Sequence, residues 1–125
     1  MDKYLAENDR YKIHSICESV YLRDKNLGKH GIGLCIDCMY SDPEGAMISQ
    51  CGTYAVIFGH HLSIYNFENQ KLKQVSFQLE WIQAVHQDII EDRSWNYFRF
   101  IAYDENDALG IFKMNVEDLS YDKVT

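Results

Sequence analysis

The stretch Cys51-Gly-Thr-Tyr-Ala-Val-Ile-Phe-Gly-His-His-Leu-Ser-Ile-Tyr-Asn-Phe67 most constrains the fold. Tyr54, Val56 and Phe58 alternate with Ala55 and Ile57. Beyond Gly59 and His60-His61 the alternation resumes, with Leu62 and Ile64 against Ser63 and Tyr65. Two period-two runs around a glycine-bearing turn predict an antiparallel hairpin. Tyr97 to Tyr103, turning through Asp104 to Asp107 into Leu109 to Phe112, repeats the pattern. Tyr54 and Tyr97 are offset by 43 residues, and Leu62 and Leu109 by 47. That period suits a propeller blade. Two blades cannot close a ring, so the recurrence is read as strand-turn-strand repetition within one sheet.

The other strands expected are Leu34 to Tyr40, Ala46 to Gln50, Val75 to Trp81, Tyr97 to Tyr103 and Leu109 to Val116. Ser41-Asp-Pro-Glu-Gly45 reads as a turn, because proline presets one dihedral and glycine permits a positive one. Residues 9–24 place Ile13, Ile16, Cys17, Val20 and Tyr21 at three- and four-residue spacings, which predicts a helix capped by Asn8 or Asp9. A strand from Tyr11 to Cys17 is the rival reading. Residues 81–92 suit either a short helix or a continued strand, with the helix or an irregular crossover preferred. The resulting expectation is an α+β fold, with an N-terminal helix packed on a curved, mainly antiparallel sheet of about six or seven strands. The expected core is Ile13, Ile16, Cys17, Val20, Leu34, Ile36, Val56, Phe58, Leu62, Ile64, Phe77, Phe98, Phe100 and Ile111.

A chain of 125 residues reads as one domain, 1–125, with 1–8 and 117–125 frayed. Its net charge of −7 opposes nucleic acid and anionic lipid and suits a basic protein. The N-terminal Met-Asp-Lys-Tyr-Leu-Ala-Glu-Asn has no apolar core, and no run approaches the ~20 apolar residues of a helical membrane span. The expected location is the cytoplasm, where Cys17, Cys35, Cys38 and Cys51 stay reduced.

Cys35-x-x-Cys38 is the one formal motif. Its extended flanks turn the two sulfurs to opposite sides, so no metal or other cofactor is expected. Adjacent His60 and His61 diverge at a hairpin tip. Acidic residues gather toward the C-terminus, with aromatics between them. Glu91, Asp92, Trp95, Tyr103, Asp104, Glu105 and Asp107 therefore form the candidate partner-binding surface: aromatics anchor and carboxylates steer. The function expected is that of a non-catalytic, acidic immunity protein or toxin inhibitor, blocking the active site of a basic toxin such as a nuclease. Two alternatives stand beside it. One is a small-ligand or enzymatic scaffold with an apolar pocket and His86 or Asp37 at its floor. The other is a homo-oligomeric adaptor joined through an edge strand.

Overall fold

A computed structural model describes residues 2–27, 33–39, 42–59, 61–75, 80–87 and 96–124, with only the backbone of 80, 81 and 84. The described chain contains twelve strands and no α-helix. They are β1 (Asp2–Glu7), β2 (Tyr11–Ile16), β3 (Ser19–Asp24), β4 (Leu34–Cys38), β5 (Gly45–Ile48), β6 (Tyr54–Phe58), β7 (Leu62–Asn66), β8 (Lys71–Val75), β9 (Glu80–His86), β10 (Tyr97–Tyr103), β11 (Leu109–Asn115) and β12 (Tyr121–Lys123). Each consecutive group of four forms its own antiparallel sheet, with strands in chain order. The α+β expectation is thus corrected to an all-β fold of three separate four-stranded meanders.

The helix expected over residues 9–24 is a hairpin. Cys17 and Glu18 turn the chain between Ile16 and Ser19, with Cys17 at φ 54°. Each arm then alternates by itself: Tyr11, Ile13 and Ser15 are buried on β2, and Val20 and Leu22 on β3. The turn shifts the phase between two period-two runs, and their sum imitates a helical spacing. Asn8 does accept from open amides, those of Arg10 at 3.0 Å and Tyr11 at 2.7 Å, but it caps the turn before a strand. Ile16 and Cys17, expected in the core, are exposed, as is Leu34. Residues 80–86 form a strand, not the preferred helix. Phe77 lies outside the described residues.

The sheets stack face to face. Ile13, Val20, Leu22 and Ile36 of the first meet Ala55, Ile57 and Tyr65 of the second. Tyr54, Val56, Leu62 and Ile64, on the opposite face of the second, meet Phe98, Phe100, Phe112 and Met114 of the third. The middle sheet is therefore covered on both faces. This explains why Tyr54–Ile57 and Leu62–Tyr65 are buried without a break, whereas β10 and β11 alternate. Burying each large side chain removes it from water at a gain of roughly 1.5–3 kcal/mol.

The 43-residue offset between Tyr54 and Tyr97 extends back to Tyr11. Tyr11 opens β2 and stacks on Phe67 of the second sheet, with ring centroids 4.1 Å apart. Tyr54 opens β6, and its hydroxyl accepts from Gln87 Nε2 at 2.6 Å, beyond the third sheet's first strand. Tyr97 opens β10 in the same way. The recurrence is thus a repeat of whole sheets. The first strands, β1, β5 and β9, lie against one another in succession, so they form the inner side of the stack.

The meander sorts the connections into two ends. One end carries the turns at 17–18, 59–61 and 104–108 and the crossing from β4 to β5. The other carries the turns at 8–10, 49–53, 67–70 and 116–120.

Candidate functional site

A buried polar seam lies between the first two sheets, at the end that carries the crossing. β4 pairs with β3 so that Asp37 stands opposite Val20, on the side facing the second sheet. The β6–β7 turn brings His61 to it, with Nε2 3.2 Å from Asp37 Oδ2. Their side chains retain only 10% exposure for His61 and 7% for Asp37. A carboxylate on one ring nitrogen fixes the orientation and tautomer of an imidazole.

Two residues on, Ser63 faces the same sheet from β7, in register with buried Ile57. Ser63 is fully buried, and its Oγ makes no hydrogen bond among the described residues. Ser15, near the end of β2, is buried as well. A buried hydroxyl without a partner carries a desolvation cost, so Ser63 is the seam's unbalanced group.

The end of the crossing packs against the β6–β7 turn. Glu44 N donates to Phe58 O at 2.9 Å, and Lys3 Nζ donates to Pro43 O at 2.8 Å. Gly59 lies beneath it: a Cβ there would meet Glu44 N and Met39 Sδ at 3.1 Å and Pro43 Cα at 3.2 Å.

A second polar group occupies the opposite end. Ser49 Oγ accepts from the amides of Thr53 and Tyr54, and Cys51 Sγ lies 3.4 Å from Ser49 Oγ and 3.0 Å from Thr53 Oγ1. Burial works against ionisation of the Cys51 thiol, but hydrogen bonds with Ser49 and Thr53 outweigh it and hold the pKa below the usual thiol range.

Among the residues expected to bind a partner, Glu91, Asp92 and Trp95 lie outside the described residues. Tyr103, Asp104, Glu105 and Asp107 surround the β10–β11 turn. Asp104 turns its carboxylate inward to its own loop, accepting from Asn106 N and Ala108 N at 2.9 Å and from Lys123 Nζ at 3.4 Å. The Ala108 amide is the main cause that holds this carboxyl below the usual aspartate range. Glu105 and Asp107 are exposed. Cys35 and Cys38 are both exposed on β4. No three metal-ligating side chains converge among the described residues. His86 is exposed on β9, opposite Arg99, while Asp37 is half of the seam. His61 was legible as a polar turn residue, but its partner, 24 positions upstream, was not.

Successive four-stranded antiparallel meanders, stacked around their first strands, define a β-propeller-type arrangement. No protein-family model and no curated protein matches the chain. Solved structures that share its fold include two lactonases by name. One is a candidate 6-phosphogluconolactonase from Bacteroides uniformis, with TM-score 0.56 and 13% identity, covering 97% of this chain and 38% of that one. The other is the periplasmic gluconolactonase of Pseudomonas aeruginosa, with TM-score 0.55 and 13% identity, covering 98% of this chain and 39% of that one. The chain thus spans about two-fifths of the length of the structures it matches. These likenesses, with the three-sheet architecture, overturn the expectation of an immunity protein or toxin inhibitor. Both of these structures bear lactonase names, and the expected helix-on-sheet body is absent from the described residues.

Proposed function

We propose that the chain is a propeller section that hydrolyses a small cyclic ester of a sugar acid, with the Asp37–His61 seam as its acid–base centre. The buried Asp37–His61 contact carries this reading, in a fold shared with two structures named for lactonases. Lactone hydrolysis needs a base to take a proton from water as its oxygen attacks the carbonyl carbon. It then needs an acid to protonate the ring oxygen as the carbon–oxygen bond breaks. One histidine held by a carboxylate can serve both steps, because the lone pair of its other ring nitrogen takes the proton from water and the imidazolium so formed can return it to the ring oxygen. Ser63, with an unengaged hydroxyl on the same face, is suited to hold the ester oxygen or the water.

Acid release from glucono-1,5-lactone and from its 6-phosphate, followed by pH-stat, tests the reading. The full-length chain should exceed the buffer rate. His61→Asn and Ser63→Ala should each reduce the excess by about 10²-fold or more, the scale of a lost general base or oxyanion donor. Ser63→Ala removes an unpaired hydroxyl and should leave the fold intact, so its effect reports chemistry. A wild-type rate equal to buffer for both lactones would end the proposal.

A second reading has its own support. With the side chains of His61 and Asp37 at 10% and 7% exposure, the pair is also suited to be a structural clamp between two sheets. In that case His61→Asn lowers the melting temperature and Ser63→Ala leaves every rate unchanged.

A further inference from the structure

We propose that Cys35 and Cys38 together form a two-thiolate site for a soft, monovalent cation, copper(I), on the outward face of the first sheet. The inference is independent of any catalytic role for the seam.

A β-bulge makes the pair. Residues three apart on a regular strand face opposite sides, so the extended flanks of Cys35-x-x-Cys38 predict diverging sulfurs. β4 is not regular. Tyr21 pairs with Cys35, Val20 with Asp37 and Ser19 with Cys38, which leaves Ile36 as an extra residue. Both residues of the bulge point inward. Ile36 is buried in the cluster that joins the first two sheets, and Asp37 reaches His61 of the β6–β7 turn. With two inward residues between them, Cys35 and Cys38 share the outward face, and both are exposed.

Their spacing suits a bridging ion. Tyr21 and Ser19 are two residues apart, so the cysteines stand opposite points roughly 6.6 Å apart along β3. Cys35 leans toward its neighbour: its Sγ lies 3.6 Å from Asp37 O, the carbonyl of the peptide that carries Cys38 N. That amide donates to Asp37 Oδ1 at 2.8 Å, which holds the backbone at the bulge. A disulfide wants Cα atoms within about 6.8 Å and Cβ atoms about 3.8 Å apart, and side chains standing side by side on one face keep their Cβ atoms wider than that. Metal–sulfur bonds of about 2.3 Å span a wider gap, because the ion adds two bonds between the sulfurs.

The donor set selects the ion. Thiolates are soft, and among the described residues no third metal-ligating side chain converges on them. His14 shares the outward face but stands across Tyr21 from Cys35, two strand spacings of about 4.8 Å away. Ser19, opposite Cys38, offers only a hard hydroxyl. Zinc closes its structural sites with four ligands. Copper(I) is satisfied by two thiolates in a near-linear arrangement. Each thiol gives its proton to solvent as its sulfur binds, and no electron moves. Two thiolates outweigh the single charge of the ion, so the complex is anionic. Arg23, on the same face two positions along β3 from Tyr21, favours it with positive charge.

Anaerobic titration of the full chain with copper(I) held by the chromogenic chelator bicinchoninate tests the site. The chain should remove one equivalent of copper from the chelator. X-ray absorption of the loaded chain should show two sulfur neighbours and no nitrogen. Cys35→Ser and Cys38→Ser should each abolish the transfer, with an unchanged circular dichroism spectrum because both side chains are exposed. A chain carrying both Cys17→Ser and Cys51→Ser should still take its one equivalent. Sedimentation should give the same mass before and after loading, since both ligands belong to one strand. No transfer to the wild-type chain would overturn the proposal. So would full uptake by either single variant, loss of uptake in the chain without Cys17 and Cys51, or nitrogen bound to the copper. A mass that doubles on loading would overturn it too, by placing the ion between cysteines of two chains.

Discussion

Asp104 shows how one residue can be read correctly for its type and wrongly for its use. An acidic side chain beside a hairpin turn suggested a surface that steers a partner. In the structure its oxygens accept from Ala108, Asn106 and Lys123. Its folded-state pKa is depressed, so its contribution to stability is complete above the unfolded-state value of about 4. The contribution is lost as pH falls through the lower folded-state value. Asp104→Ala should therefore lower the urea midpoint at pH 7, and the gap from wild type should narrow toward pH 2.5. A gap that stayed constant across that range would show that the carboxylate does no such work. Cys17 belongs to the same scale. At φ 54° it occupies a backbone region costly for a residue with a Cβ, and nothing in its side chain announced the turn.

Elements follow from local pattern more securely than single residues do. The hairpin of β6 and β7 was legible because period-two alternation and a glycine turn agree. The hairpin of β2 and β3 was not, because no glycine or proline marks the turn at Cys17–Glu18, and its hydrophobic spacings fit two periods at once. Gly59 makes the corresponding turn fit beneath the crossing from β4 to β5. A Cβ there would press on backbone atoms of Glu44 and Pro43, which cannot swing aside as a side chain would. Gly59→Ala should destabilise the protein by about 1–3 kcal/mol, the scale of a local overpacking. Gly110→Ala is the control. Its Cβ would meet Lys123 Cε, the far end of a flexible chain, so chemical denaturation should find a smaller loss. Equal losses would refute this account of the crossing.

At the scale of the molecule, the stack makes the middle sheet different from its neighbours. β6 and β7 are packed on both faces, while among the described residues the outer sheets each pack one face on another sheet. Local opening costs more where more packing must be broken. Amide exchange should therefore be slowest in Ala55–Ile57 and Ser63–Tyr65, and faster in β2 and β10 despite similar strand lengths. Exchange as slow in β10 as in β6 would refute this account of the stack.

By itself the sequence determined half of the strands, β4 to β7 with β10 and β11, and much of the core. Ile13, Val20, Ile36, Val56, Leu62, Ile64, Phe98 and Phe100 are buried as expected, because a buried strand face is written into alternation. It also held the sheet repeat, in Tyr11, Tyr54 and Tyr97, although two members of a three-member series do not distinguish repeated blades from repeated hairpins. Only the tertiary structure decided how the strands divide into three sheets, which faces meet, and that Asp37 and His61 share a buried seam. Pairing between sheets leaves no periodicity within either of them: it joins residues whose separation along the chain is set by loops, and loops carry no pattern of the face they will cover.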